Sequence, residues 1–230
     1  IEKDLQKTLK VNAEAVIQWL NDQENSARLI ASRPELKAIV KQIDQETAST
    51  VKSLDDYMQG VLQDEYSSFN EYFILKSHSD HYEINLGSSV VLTESIRNNL
   101  KQLEKGKTFI QLPFIHKEEE HRKVEMFIAT PVLNTSGQKI AVLGLLLDPK
   151  LSFSRIMTAS RFGTSAETFA INTKQQMISE SRFLDTLTAE GKLGAEESNI
   201  LNININLPFR KSIIPYPSSQ VSNKPYISYT

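Results

Sequence analysis

The stretch VEMFIATPVLNTSGQKIAVLGLLL, residues 124–147, decides the fold. Two β-prone runs, Val124 to Leu133 and Lys139 to Leu147, stand on either side of Asn134-Thr135-Ser136-Gly137. Asn and Gly tolerate the backbone angles of a tight reversal, and Asn and Ser bond the local backbone, so the stretch reads as a β-hairpin. Immediately upstream, Thr108 to Phe114 supplies a third strand. Before it, Thr93 to Glu104 carries Ile96, Leu100 and Leu103 at helical spacing, with Gly106 placed to cap the helix C-terminus. Further back, Tyr72 to Leu75 is a short β-prone run ended by His78-Ser79-Asp80. Tyr82, Ile84 and Leu86 then alternate with polar residues until Gly87. Strand, strand, helix, then three antiparallel strands predicts an α+β domain whose sheet closes on its own helix.

Toward the N-terminus the pattern becomes helical. Leu5, Leu9, Ala13, Val16, Leu20, Ala27 and Ile30 fall largely on one stripe. No Gly or Pro interrupts residues 1–33, which allows a single helix of about 50 Å. Arg33-Pro34 ends it, because proline pushes the preceding residue out of the helical region. Ser32 is placed to cap the next helix, with Glu35 in its first turn. Leu36, Ile39, Val40 and Ile43 line that helix, and Val51, Leu54, Met58, Val61 and Leu62 line a third from Ser49 to Gln63.

Downstream of Asp148, a short helix with Leu151, Phe153, Ile156 and Met157 leads to Arg161-Phe162-Gly163 and a second β region. Phe169 and Ile171 alternate in one strand, Thr173 to Gln176 turns, and Met177-Ile178 starts the next. Phe183 to Lys192 is compatible with a helix. Leu201, Ile203, Ile205 and Leu207 alternate strictly with asparagines, as a half-buried strand would. From Pro208 a proline-rich tail leaves room for one short strand, Tyr226 to Tyr229. This half repeats the opening order of the first and stops before a closing hairpin. The expected organisation is a helical stalk over 1–65, a first lobe over 66–150 and an incomplete second lobe over 151–230.

Composition narrows the function classes. The chain has 230 residues, 40% apolar and 23% charged, as an ordinary globular protein does. With 26 basic and 28 acidic residues the net charge is −2, without the basic surplus that nucleic-acid binding needs, so no nucleic-acid partner is expected. Zero cysteines remove disulfides, thiolate metal sites and a cysteine nucleophile. No run approaches the roughly 20 apolar residues of a membrane-spanning helix. The N-terminus has no signal-peptide pattern and begins with Ile1, so a segment excised from a longer protein is expected.

Four segments together resemble a known family, the extracytoplasmic double Cache (PAS-like) sensor domains of bacterial membrane receptors. They are Ile17-Gln18-Trp19-Leu20 with Ala31-Ser32-Arg33-Pro34-Glu35-Leu36; Thr130-Pro131-Val132-Leu133 with Ala141-Val142-Leu143-Gly144; Gly163 to Ile171; and Met177-Ile178-Ser179-Glu180-Ser181-Arg182-Phe183. Ser165-Ala166 stands where the family has Thr-Gly, and Lys174-Gln175-Gln176 where it has an acidic-glycine turn. The resemblance implies a long helix carrying two PAS-like antiparallel-sheet lobes, the second incomplete. It also implies membrane attachment through flanking transmembrane helices, a periplasmic position at the bacterial inner membrane, and a cytoplasmic output. That output is expected to be a histidine kinase, with a diguanylate cyclase or chemoreceptor as the alternative. A homodimer through the first helix is a further expectation.

In such a lobe a small metabolite lies between the sheet, the capping helix and the loops into the third and fourth strands. Tyr82, Arg97, Lys107, Gln111, Lys123 and Glu125 are the polar residues that region offers. The arginine and lysines favour an anionic ligand such as a carboxylate; each residue can equally be a solvated face, Lys107 and Lys123 most readily. Amino-acid-binding members resemble one another in an arginine close to a tryptophan and tyrosine before the third strand, and an aspartate in the last. Here the single tryptophan is Trp19, and Leu146 takes the aspartate's place, so amino acids are expected to be disfavoured.

His78 and His81 flank Asp80, and His116 and His121 bracket Glu118 to Glu120, spacings that could offer a divalent ion imidazole and carboxylate ligands. In polar loops the same residues are simply solvated, and neither metal nor cofactor is expected. No nucleophile elbow, phosphate loop or zinc-protease helix is present, so no catalysis is expected of this segment. The rival reading is a dimerisation or protein-interaction module that binds nothing small. A cup filled by Tyr82, Phe109 and Phe127 would favour that rival, and a polar-lined void would favour sensing.

Overall fold

The computed structural model describes residues 2–43, 48–78, 82–88, 90–118, 121–151, 153–159, 167–194 and 197–205, with the backbone of 214–215, 221–222 and 226–229. α1 (Glu2–Ser32) is one uninterrupted helix of 31 residues. Leu9, Ala13, Val16, Leu20, Ala27 and Ile30 are all buried, so the apolar stripe is the packed face; the Leu5 side chain lies outside the described residues. At the break Arg33 turns extended (φ −62°, ψ 132°), and Pro34 takes the first position of α2 (Pro34–Gln42), where its missing N–H has no helical acceptor to lose. Ser32 does not cap α2 as expected: its hydroxyl donates back to the Leu29 carbonyl at 2.8 Å. α3 (Ala48–Gly60) runs straight into a π-helical turn, Val61–Glu65. Leu54, Met58, Val61 and Leu62 form its buried side.

The Arg33 guanidinium holds both oxygens of Glu65, one at 2.9 Å, and lies over the Tyr66 ring 5.5 Å from its centre. The helix break is thereby tied to the end of the π turn. The pairing holds the Glu65 carboxyl below its ordinary range and the guanidinium above its own.

β1 (Glu71–His78), β2 (Tyr82–Gly87), α4 (Glu94–Lys101), β3 (Phe109–Glu118), β4 (His121–Leu133) and β5 (Lys139–Leu147) follow. The strands lie in the order β2-β1-β5-β4-β3 as an antiparallel sheet. β1 is central to one side: Phe73 faces Gly87 on β2 and Gly144 on β5. The Phe73, Phe127 and Phe109 rings pack together, at 5.2 Å edge-to-face and 6.0 Å tilted. The β4–β5 turn is built by Asn134, whose Oδ1 accepts from the Ser136 and Gln138 amides at 3.0 and 2.9 Å, with Gly137 at φ +79°.

Thr93 caps α4 by accepting from the Ile96 amide at 3.4 Å. Gly106 is not its C-terminal cap, because the helix stops at Lys101. The Lys139 ammonium instead takes the Lys101 and Leu103 carbonyls, and Gly106 (φ +76°) turns the chain toward β3.

The residues sort into two compact units, 22–110 with 127–147, and 1–21 with 111–126 and 148–230. In the second unit the Trp19 ring meets Phe153 of α5 (Phe153–Ala159) at 6.1 Å. β6 (Thr168–Ile171), β7 (Ile214–Pro215) and β9 (Tyr226–Tyr229) form a small sheet in the order β6-β9-β7, and β8 (Val221–Ser222) adds to the outer edge of β3. Phe169, Ile171 and Met177 make the local core, with Ile203 and Ile205 packed on it. Of the expected strand over 201–207, residues 201–205 form a turn followed by a single bridge, and 206–207 lie outside the described residues. Leu201 sits at φ +65°, and Asn199, fully buried, accepts from the Ser181 amide and donates to the Ser179 carbonyl. The backbone still bonds toward 175–177, through Ile203 O to Met177 N and Ile205 N to Gln175 O.

Of the expected helix over 183–192 only α6 (Leu184–Ala189) is regular. The Arg182 side chain lies over Phe183, while its amide donates to Glu167. The glycine-rich entry at 163–166 lies outside the described residues.

Candidate functional site

The six side chains singled out from sequence do not form one described cluster. Arg97, on α4, donates from Nε to the Leu92 carbonyl at 3.2 Å and so braces the loop before its own helix. Lys107 is exposed beside the turn into β3. Gln111 is buried on β3 and donates to the Leu112 carbonyl at 3.0 Å. Lys123 and Glu125 on β4 are brought together as an ion pair at 2.7 Å, the lysine exposed and the glutamate buried. Tyr82 begins β2 opposite His78, and its side chain is outside the described residues. The same holds for the histidine clusters: the side chains of His78, His81, His116 and His121 are not described. Among the described residues no group of histidines and carboxylates has the arrangement of a metal site.

Part of the expected cup is filled. Phe109 and Phe127, together with Phe73, occupy the sheet surface with aromatic rings. A cavity with both apolar and polar walls lies elsewhere, open-mouthed and of about 640 Å³, at the β1–β2 end of the sheet. Asp55, Gln59 and Gln63 come to it from α3 and the π turn, with Leu62 between them. Phe69, Glu71 and Tyr72 come from the entry to β1, and Gly87 from the end of β2.

Each wall has a local cause. Asp55, Gln59 and Gln63 recur every four residues and stay on one flank while Leu54, Met58 and Leu62 are buried on the other. The π turn, a wider coil than the α-helix, is the kind of irregularity found at functional sites. Gly87 is required by close approach: at φ +93°, a Cβ there would stand 2.3 Å from the Tyr72 carbonyl oxygen. The Tyr72 hydroxyl donates to the Asp55 carboxylate. Burial, reinforced by that carboxylate, pushes the phenol far above its ordinary pKa, so Tyr72 stays a donor and keeps Asp55 in place. The sequence carried one signal for this site, the four-residue repeat of polar residues at 55, 59 and 63. Nearly every surface helix has such a flank, so it was not distinctive.

No family model matches the chain, and no curated protein matches it. Solved structures do. The ligand-binding domain of the Pseudomonas aeruginosa PAO1 amino acid chemoreceptor PctC, in complex with GABA, is 14% identical, with a TM-score of 0.59 over 99% of this chain and 98% of that one. That of the Pseudomonas fluorescens chemoreceptor CtaA with L-valine is 17% identical, with a TM-score of 0.56 over 98% and 94%. A domain of a sensory box/GGDEF family protein from Vibrio parahaemolyticus is 9% identical, with a TM-score of 0.58 over 98% and 93%. The chain has the fold of these domains. The α+β architecture expected from sequence, a long N-terminal helix with a PAS-like, Cache-type antiparallel sheet, is therefore correct.

One expectation is overturned. Amino acids were expected to be disfavoured, yet domains of this fold are complexes with GABA, L-valine and L-arginine. The error was to weigh two single positions, Trp19 and Leu146, in a fold whose solved examples share only 14–17% of their residues with this chain. Among the described residues no helix is long and apolar enough to cross a membrane.

Proposed function

We propose that the chain is the extracytoplasmic ligand-sensing domain of a bacterial transmembrane receptor, and that it binds a small metabolite. The observation that carries this reading is the antiparallel sheet β2-β1-β5-β4-β3 following a 31-residue helix, matched over nearly the whole chain by chemoreceptor ligand-binding domains. The ligand acts by its differential affinity for two states of the domain, since only that difference can shift their balance. Gln111 and Glu125, the buried members of the sequence-derived set, are the proposed ligand-facing groups on β3 and β4, with Lys123 paired beside them. The segment itself is proposed to be non-catalytic. The proposed output is a histidine kinase; chemoreceptor and GGDEF neighbours support a receptor whose output module varies, and the flanking reading frame tests which one is attached.

A thermal-shift screen of the 230-residue chain against amino acids, amines and organic acids tests the reading. A specific ligand at 100 times its Kd should add about 2.7 kcal/mol of stability. No stabilisation by any compound in the three classes would overturn it.

A further inference from the structure

We propose that the π turn Val61–Glu65 is a two-position register switch, held in its present register by the Arg33 grip on Glu65 and released into α-helical register when that grip opens. The turn is not dictated by its own sequence. Val61-Leu62-Gln63-Asp64-Glu65 contains no Pro or Gly, and Leu, Gln and Glu are good α-helix formers. By local preference the segment would simply continue α3. Instead the Tyr66 amide passes over the Leu62 carbonyl and closes on that of Val61 at 3.1 Å. Tertiary contacts at the end of the turn supply the cause. Arg33 takes both oxygens of Glu65, and the Tyr66 ring lies under the same guanidinium at 5.5 Å. The Arg33 backbone is pinned between α1 and α2 ahead of Pro34, which limits how far its side chain can follow Glu65.

The two registers exclude one another. Closing Tyr66 on Leu62 removes the extra residue of the π turn and rotates the chain beyond it by about 100°, with about 1.5 Å of axial travel. Bidentate pairing depends on alignment, so Glu65 cannot keep the guanidinium through that rotation. The grip is also weak enough to open. Its side chains are 25% and 50% exposed, and ion pairs in that setting contribute little net stability, which keeps the registers close in free energy. Gly60 stands at the joint with ordinary helical angles, φ −58° and ψ −48°, and a Cβ there would meet nothing. The present register therefore does not require glycine, and what Gly60 supplies is backbone freedom where α3 enters the turn. Leu62 and Gln63 line the cavity beside β1 and β2, so a change of register re-aims two of its walls while it frees the α1–α2 break.

The proposal concerns the turn alone and does not rest on the receptor reading. Scalar couplings measured across hydrogen bonds in the deuterated 230-residue chain name the carbonyl that each amide uses. The native chain should couple the Tyr66 amide to the Val61 carbonyl. Arg33→Gln and Glu65→Gln should each lose that coupling, gain one to the Leu62 carbonyl, and shift the Leu62 and Gln63 amides. Asp64→Asn removes a neighbouring exposed charge of the same sign and should leave the register unchanged. In the unaltered chain, salt at about 1 M shortens the screening length to about 3 Å and should add microsecond-to-millisecond exchange broadening at Leu62 to Tyr66. Retention of the Tyr66–Val61 coupling in both folded variants, or the same loss in Asp64→Asn, would overturn the proposal. If the variants do not fold, relaxation dispersion at Leu62 to Tyr66 that is indifferent to salt overturns it. None of these outcomes bears on the thermal screen, so the two proposals fail separately.

Discussion

Phe73 lies so close over Gly144 that a Cβ there would sit 2.1 Å from two ring carbons. Gly144→Ala must push the ring off Phe127 or open the β1–β5 ladder, a cost of about 1–3 kcal/mol by the usual measure of overpacking. Urea unfolding should register it, and a change below about 0.5 kcal/mol would contradict the packing described. Tyr72 carries a second prediction. Its folded pKa is raised, so its contribution is complete below the unfolded value near 10 and is lost as pH rises beyond it. Unfolding measured from pH 8 upward should steepen above about pH 10 in the native chain and less so in Tyr72→Phe; identical slopes would contradict the burial of the phenol beside Asp55. At this scale the buried apolar residues were readable from periodicity. Lys139 was not: its role at the end of α4 depends on a contact made 38 residues away in sequence, and no local pattern encodes it.

At the scale of elements, the α1–α2 break is enforced by Pro34 and secured by Arg33 and Glu65. Glu65 has a lowered carboxyl pKa, so its stabilising contribution is complete above the unfolded value near 4.3 and is lost as pH falls through the folded one. Glu65→Gln should flatten the acid side of the stability curve, and an unchanged acid limb would show the pair to be inert. Thr93 caps α4 through a long bond of 3.4 Å, so Thr93→Ala should cost only about 0.5 kcal/mol, the low end for a cap. The break, the hairpin and the sheet strands were legible because proline, Asn-to-Gly turns and alternation each have one dominant structural outcome. The 199–205 segment was misread for a nonlocal reason. Its alternation is real, but the buried Asn199 spends its side chain on Ser179 and Ser181 and holds the chain in a turn before any strand can begin.

Taken as a whole molecule, the chain joins an uninterrupted helix to an antiparallel sheet, a fold that chemoreceptor ligand-binding domains share at 14–17% identity. That degree of divergence explains what sequence could and could not reveal. Fold survives because many residues satisfy a buried stripe or an alternating strand. A ligand site depends on a few polar groups from separate elements, so Leu146 in place of an expected aspartate does not by itself decide the ligand class. The cavity that Asp55 and Glu71 line draws on α3, the π turn, β1 and β2, four elements that only the folded chain brings to one place.

The most direct measurement is a crystal structure of the chain grown with the strongest stabiliser found in the metabolite screen. The account predicts ordered ligand density against β3 and β4 beside Gln111 and Glu125. A stabiliser that binds on an open helix surface, or density confined to intermolecular contacts, would contradict it.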